Sequence, residues 1–187
     1  MNRRPSTGSV LVAVICCVIA ALAYLVAPER DDHRPVTGRV GQTLAMSSDE
    51  HLVVNGYQVA SYYSADGQYA RRTRDVYLIV NVTVFIRDGD SGSWRATGSS
   101  GDRDFRAIGN LLLPQAGFKQ TRDVIYELPA DALAGFHVRL DPSGVFHAYE
   151  NQLDVDLGID QPTATRMAAQ ARGRYVALPV SVPEALP

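Results

Sequence analysis

Eleven consecutive residues, Val76 to Ile86, alternate so strictly that they leave the chain few folds to choose from. Val76, Leu78, Val80, Val82, Val84 and Ile86 are all aliphatic and fall on one side of an extended backbone. Tyr77, Ile79, Asn81, Thr83 and Phe85 fall on the other. A helix would scatter both sets around its axis, whereas a period of two sorts them onto opposite faces. The aliphatic face belongs against a core, and the amphipathic face is only partly covered.

The same period recurs in shorter pieces. Leu52, Val54 and Val59 predict a strand broken or bulged near Gly56, followed by a polar loop from Ser64 to Arg74. Phe105–Leu113 ends at Pro114. Val124, Tyr126 and Leu128 point inward from a further strand. Phe136, Val138 and Leu140 alternate with His137 and Arg139, and Leu153, Val155, Leu157 and Ile159 alternate with acidic residues. Asp88 to Asp104, full of Gly, Ser and Asp, reads as a long loop or ragged hairpin. Near the end, Pro162–Arg172 is helical in composition, with Asp160 placed to cap it and Gly173 to stop it. Ala177–Pro187 carries three prolines and reads as an extended or disordered tail. Short strands separated by Gly- and Pro-rich turns argue an all-β chain, a β-sandwich with a short C-terminal helix.

Val10–Ala27 is an uncharged apolar run of 18 residues, preceded by Arg3 and Arg4 and ended by Pro28, Glu29 and Arg30. As a helix rising about 1.5 Å per residue it reaches about 27 Å, close to the hydrocarbon thickness of a bilayer. A cleaved signal peptide is the competing reading, with Ala21-Leu22-Ala23 as its cleavage site. The length of the run favours a retained signal-anchor, with the basic N-terminus in the cytoplasm and the remainder outside it. The expected organisation is a cytoplasmic segment 1–9, a transmembrane helix 10–27, a juxtamembrane linker 28–42, a β-domain 43–160, and a helix and tail 161–187. Cys16 and Cys17 both lie in the apolar run, so no disulfide framework is available to the rest. A net charge of −2 argues against nucleic acid as a partner.

The stretch from about Val40 to Leu140 resembles the telokin-like, immunoglobulin-like domains of exported bacterial proteins. The resemblance rests on Gly41–Leu44 (GQTL), on HLVVNGYQV and VYLIVNVTVFI, and on LLLPQAGFKQTRDVIYELPADA at Leu111–Ala132. It implies an immunoglobulin-like β-sandwich, mostly of unknown function in that family, and brings no catalytic residues with it. The Asp88–Asp104 loop and everything after Leu140 depart from its pattern.

Several catalytic and metal readings fail on spacing. Gly89-Asp90-Ser91-Gly92-Ser93-Trp94 resembles the nucleophile loop of chymotrypsin-like proteases, but that chemistry needs a histidine and an aspartate set well upstream on a barrel of their own. His33, His51, His137 and His147 are scattered and lack the short ligand spacing of a zinc site. Asp154, Asp156 and Asp160 are separated by apolar residues, which makes them the outer face of a strand rather than a calcium loop. No cofactor, metal or catalytic residue is expected.

What is left is binding. The chain reads as a non-catalytic binding or assembly module, an accessory subunit of a bacterial envelope membrane complex whose partners are other membrane or envelope proteins, with the bilayer contacted through residues 10–27. The alternative is a ligand-binding module for an envelope glycan or lipid. Candidate contacts are Met167 and Tyr175 on the C-terminal helix and tail, Trp94 as an exposed interface anchor, Tyr62 and Tyr63, and the basic cluster Arg71, Arg72 and Arg74.

Overall fold

The alternating run lies within the longest strand of the protein. In a computed structural model, the described residues are 35–187 except 66, 68, 89–92, 110 and 144–150. The unit they belong to spans Arg34–Pro187. Its strands are β1 (Val36–Arg39), β2 (Thr43–Ala45), β3 (Glu50–Ser64), β4 (Arg71–Ile86), β5 (Ser93–Ser100), β6 (Arg103–Ile108), β7 (Leu111–Leu112), β8 (Phe118–Leu128), β9 (His137–Ser143), β10 (Leu153–Asp156), β11 (Tyr175–Ala177) and β12 (Glu184–Ala185). One α-helix, α1 (Gln161–Ala171), and a 3-10 turn at Ala130–Ala132 complete the described elements. The fold is all-β.

Pairing runs β1-β10-β9-β5-β6-β8-β4-β3-β11, with β2 on β3, β7 on β5 and β12 on β8. Strand β6 belongs to two ladders: its first half pairs β5 from Thr97↔Arg106 to Ser100↔Arg103, and its end pairs β8 at Ala107↔Tyr126 and Ile108↔Ile125. The order is mixed, because β1 lies parallel to β10 and β11 parallel to β3. Residues 36–39, read from sequence as linker, therefore take part in the folded unit as β1.

The main core is a large cluster fed by both ladders. Val76, Leu78, Val80, Val82, Val84 and Ile86 of β4 are each at most 5% exposed. Trp94 and Ala96 of β5, Val138 and Leu140 of β9, and Leu153 and Val155 of β10 join the same cluster. The six aliphatic side chains of β4 alone represent on the order of 10 kcal/mol of gross transfer free energy, before the entropy of ordering the chain is set against it.

Three regions differ from the sequence reading. The supposed loop Asp88–Asp104 contains β5, which pairs β9 from Ser93↔Ser143 to Ser99↔His137. Its small polar residues hide a strand because Phe136 packs where larger side chains would go. Arg71–Arg74 are not loop but the start of β4. A register shift between Ala60 and Tyr62 lets β3 and β4 stay paired to Tyr63↔Arg71. The C-terminal tail is a strap: β11 lies beside β3, Leu178 N donates to Ser64 O, Gln120 Nε2 donates to Ser181 O, Leu186 N donates to Gly117 O, and β12 closes on β8.

The strap explains the amphipathic face of β4. Tyr77 and Ile79 of β4 form a second apolar cluster with Ala60, Tyr63 and Ile125, and Val176 and Leu178 of the strap pack onto it. Beyond this patch the face is polar and tied together. Asn55 Nδ2 donates to Asn81 Oδ1, Asn81 Nδ2 donates to Asp123 Oδ1, each at 2.8 Å, and Thr83 and Thr121 share a hydrogen bond.

The expected helix and its cap are present. Asp160 accepts from Thr163 N at 2.8 Å, Pro162 lies in the first turn, and Gly173 takes φ +71° past the end. Among the described residues no helix is long and apolar enough to cross a membrane. The apolar run 10–27 lies outside them.

Candidate functional site

The C-terminus of α1 is fastened to the end of β3. Ser61 Oγ donates to Ala171 O and accepts from Gly173 N, and Arg174 O accepts from the amides of both Ser61 and Tyr62. Arg174 N also bonds Ala171 O, and its guanidinium reaches Gln58. One hydroxyl and one loop amide thus satisfy the Ala171 carbonyl, one of those that the last helical turn leaves open. β11 then continues beside β3 with Tyr175 opposite Tyr62.

This junction encloses a cleft of ≈ 500 Å³ between α1, the 3-10 turn and the facing ends of β3 and β4. Its charged and aromatic walls are Tyr62, Arg72, Arg74, Asp75 and Arg172, and Val76, Ala130, Ala168 and Ala171 supply apolar surface. Arg72 and Arg74 lie two residues apart at the start of β4, beside the register shift between Ala60↔Tyr77 and Tyr62↔Arg72, and both line the cleft. The guanidinium carbon of Arg72 stands 5.5 Å from the centre of the Tyr62 ring. Such a contact is worth about 0.5–1 kcal/mol at an exposed site and restrains the side chain.

None of the ion pairs formed among the described residues involves Arg72, Arg74 or Arg172. The aliphatic hydroxyls of the cleft, by contrast, are occupied. Ser61 serves the helix end, and Thr73 donates to Glu127 while accepting from Asp75 N. The lining carries three guanidinium groups against one carboxylate.

A second depression of ≈ 370 Å³ lies over β5, β9 and β10, walled by Thr97, Asp104, Arg139, Asp141 and Asp154 among others. Its charges are partly paired. Arg139 lies 3.7 Å from both Asp104 and Asp154, and His137 Nδ1 lies 2.8 Å from Asp154. Burial raises the Asp141 carboxyl above its ordinary range, and the neighbouring Arg95 and Arg139 offset this only in part. With three carboxylates and one guanidinium, already ion-paired, in its lining, this depression does not suit an anion.

The sequence-derived contacts separate on this geometry. Tyr62, Arg72 and Arg74 meet in the cleft, and Arg71 and Tyr175 adjoin it through pairing with Tyr63 and Tyr62. Tyr63 lies beneath, 2% exposed and edge-on to Tyr77 at 4.8 Å. The expectation of a contact at Tyr63 is thus corrected, and two others with it. Trp94, expected as an exposed anchor, is 2% exposed in the main core, because β5 turns it inward together with Ala96. Met167 is on the buried face of α1 with Ala164 and Ala171 and presents no contact surface.

The sequence reading missed Arg172 and Asp75. Asp75 sits beside the recognised arginines, but Arg172 reaches them only through the parallel β11–β3 pairing, for which no local pattern exists. Of the motifs set aside on spacing, residues 89–92 of the protease-like loop lie outside the described residues, as do His33 and His147. The three aspartates are employed separately: Asp154 pairs His137, Asp156 accepts from Gly158 N, and Asp160 caps α1. Among the described residues no group of three or more His, Cys, Asp or Glu is arranged to hold a metal ion.

No family model and no curated protein matches the chain. Among solved structures, the chain is similar to the yjhA protein from Bacillus subtilis, at 17% sequence identity and a TM-score of 0.48 over 64% of this chain and 99% of that one.

Proposed function

We propose that the chain is a membrane-anchored, extracytoplasmic, non-catalytic binding module of a bacterial envelope, and that it recognises its target through the arginine cleft. In this reading residues 10–27 are the anchor, and the two ladders form an immunoglobulin-like sandwich of the telokin-like kind. The observation that supports it is the cleft itself: Arg72, Arg74 and Arg172 line one opening, none of them in an ion pair among the described residues, and Arg72 is braced on Tyr62. Arginine at such a place favours an anionic target, since its planar fork matches oxyanions in geometry as well as charge. Tethering would hold the cleft at high effective concentration toward membrane components.

Subunit assembly is the second reading. Val180 and Val182 of the strap are 81% and 65% exposed, an apolar pair directed away from the sheet.

The test is purification of the full-length protein from native membranes in mild detergent, with mass spectrometry of co-purifying small molecules and chains. The wild type is compared with the triple variant R72Q/R74Q/R172Q and with V180S/V182S. An anionic species lost only from the triple variant supports the cleft reading. A chain lost only from the valine variant favours assembly. A wild type that retains nothing would remove both.

A further inference from the structure

Resting on the cleft as the binding site, we infer that its ligand is a phosphate monoester. Among the described residues three guanidinium groups and the Asp75 carboxylate line the cleft, with Glu127 behind Thr73, which leaves a net positive charge. A phosphate monoester carries about −1.5 to −2 at neutral pH and presents three terminal oxygens. A single carboxylate carries half that charge and is saturated by one arginine fork. Three forks therefore suit a tetrahedral group better than a planar one.

The occupied hydroxyls narrow the choice. Recognition of a neutral sugar relies on hydroxyls and amides that can both donate and accept. Here Ser61 and Thr73 are bound to Ala171 and Glu127, so beside the Tyr62 phenol the side-chain donors of the lining are guanidinium N–H groups, which cannot accept. The helix end does not oppose an anion strongly, because Ala171 O already receives Ser61 Oγ and Arg174 N. The apolar wall of Val76, Ala130 and Ala168 gives the carbon side of the ester a surface to lie on. The same chemistry is offered by a soluble sugar or glycerol phosphate and by a lipid headgroup that ends in a phosphomonoester.

The experiment uses the full-length chain in detergent micelles. Glycerol 3-phosphate is titrated by calorimetry, with succinate as a carboxylate dianion of matched charge. Sedimentation with phosphatidylcholine vesicles, with and without phosphatidate, provides the lipid arm. Saturable binding to glycerol 3-phosphate, to phosphatidate vesicles, or to both is the expected result, and the arm that responds identifies the source. R74Q/R172Q should weaken binding at least about tenfold, in line with the loss of charge-assisted hydrogen bonds. R74K, which keeps the charge but not the fork, should fall between. Melting curves of both variants verify that they fold.

Succinate binding as tightly as the phosphate, wild-type affinity in R74Q/R172Q, or no response in either phosphate arm overturns the inference. The membrane purification separates the two levels of failure. If the phosphate arms are silent while the triple variant still loses its anionic species, only the phosphate assignment is wrong. If the triple variant loses nothing, the cleft is not the binding site.

Discussion

Phe136 lays its ring against bare backbone at Gly98: a methyl group added there would come within 2.2 Å of the ring Cζ. Phe136 also meets Tyr126 edge-on, with ring centres 5.3 Å apart, and Phe105 at a tilt, 5.9 Å away, so it has little freedom to withdraw. Gly98 is therefore a packing requirement rather than a turn. Gly98→Ala should lower stability by roughly 1–3 kcal/mol, the range for overpacking a filled core. Phe136→Leu in the same chain should restore part of that loss. Denaturant midpoints of the single and double variants measure the coupling, and additive losses would show that the two residues do not compete for space.

Tyr126 should govern part of the alkaline limit of stability. Its phenol is fully buried, and burial pushes its pKa well above the ordinary tyrosine value. For an acid whose folded value is raised, the stabilising contribution is complete below the unfolded value of about 10 and is lost as pH climbs toward the folded one. Tyr126→Phe keeps the ring and gives up only a long 3.4 Å bond to Thr97 O. It should change stability at neutral pH by no more than about 1 kcal/mol and make the fall in Tm above about pH 9 shallower. Parallel Tm curves for the two proteins would contradict this. Tyr57 and Tyr77 are also shifted upward, chiefly by burial, and account for decline that remains.

The acid side should show the opposite sign at Asp160. Hydrogen bonds from Thr163, through its side chain and then its backbone, hold this carboxyl below its ordinary value, with Arg166 adding to the effect. A depressed folded value contributes stability above the unfolded pKa of about 3.9, which is lost as pH falls through the folded value. Asp160→Asn can still cap the helix but does not titrate. The wild type should therefore lose more Tm than the variant between about pH 5 and about pH 2. Equal losses would assign the acid limb to other carboxylates.

The strap should be a stabilising element rather than a free tail. Val176 is 8% exposed and packs with Leu178 on Tyr77, Ile79 and Ile125. Val176→Asp sets a charge into that patch and should cost roughly 2–4 kcal/mol, the scale of losing one buried aliphatic side chain and desolvating a carboxylate in part. Dye binding to exposed apolar surface should rise with it. A variant as stable as wild type, with no dye signal, would mean that the strap rests on the sheet without being needed there.

The fold was legible in sequence where faces differ sharply in polarity. Val76–Ile86 needed only its period to place six residues in the core, and Asp160, Pro162 and Gly173 bracket α1 within two residues of its ends. It was illegible where small residues stand in for large ones. Trp94, Ala96, Gly98 and Ser100 all face inward from β5, a period-two signal in its own right. It was masked because Phe136 supplies from a distant segment the bulk that a strand usually carries itself. The candidate site was half visible: Tyr62, Arg72 and Arg74 lie close in sequence, but Arg172 is joined to them by the helix and a parallel pairing of long range. The tail read as extended because prolines exclude other conformations, yet nothing local in it specifies the surface it crosses.

That crossing bears on the order in which the chain can be completed. Tyr175 must pair beside Tyr62, more than a hundred residues earlier, and Glu184 beside Lys119. Until Val176 and Leu178 have been synthesised, Tyr77, Ile79 and Ile125 lie open to water, and the edges of β3 and β8 that the strap closes remain available to any other strand. The most vulnerable interval in the making of this sheet is therefore the one between the emergence of β8 and that of the strap, when the strands are present and the segment that seals them is not.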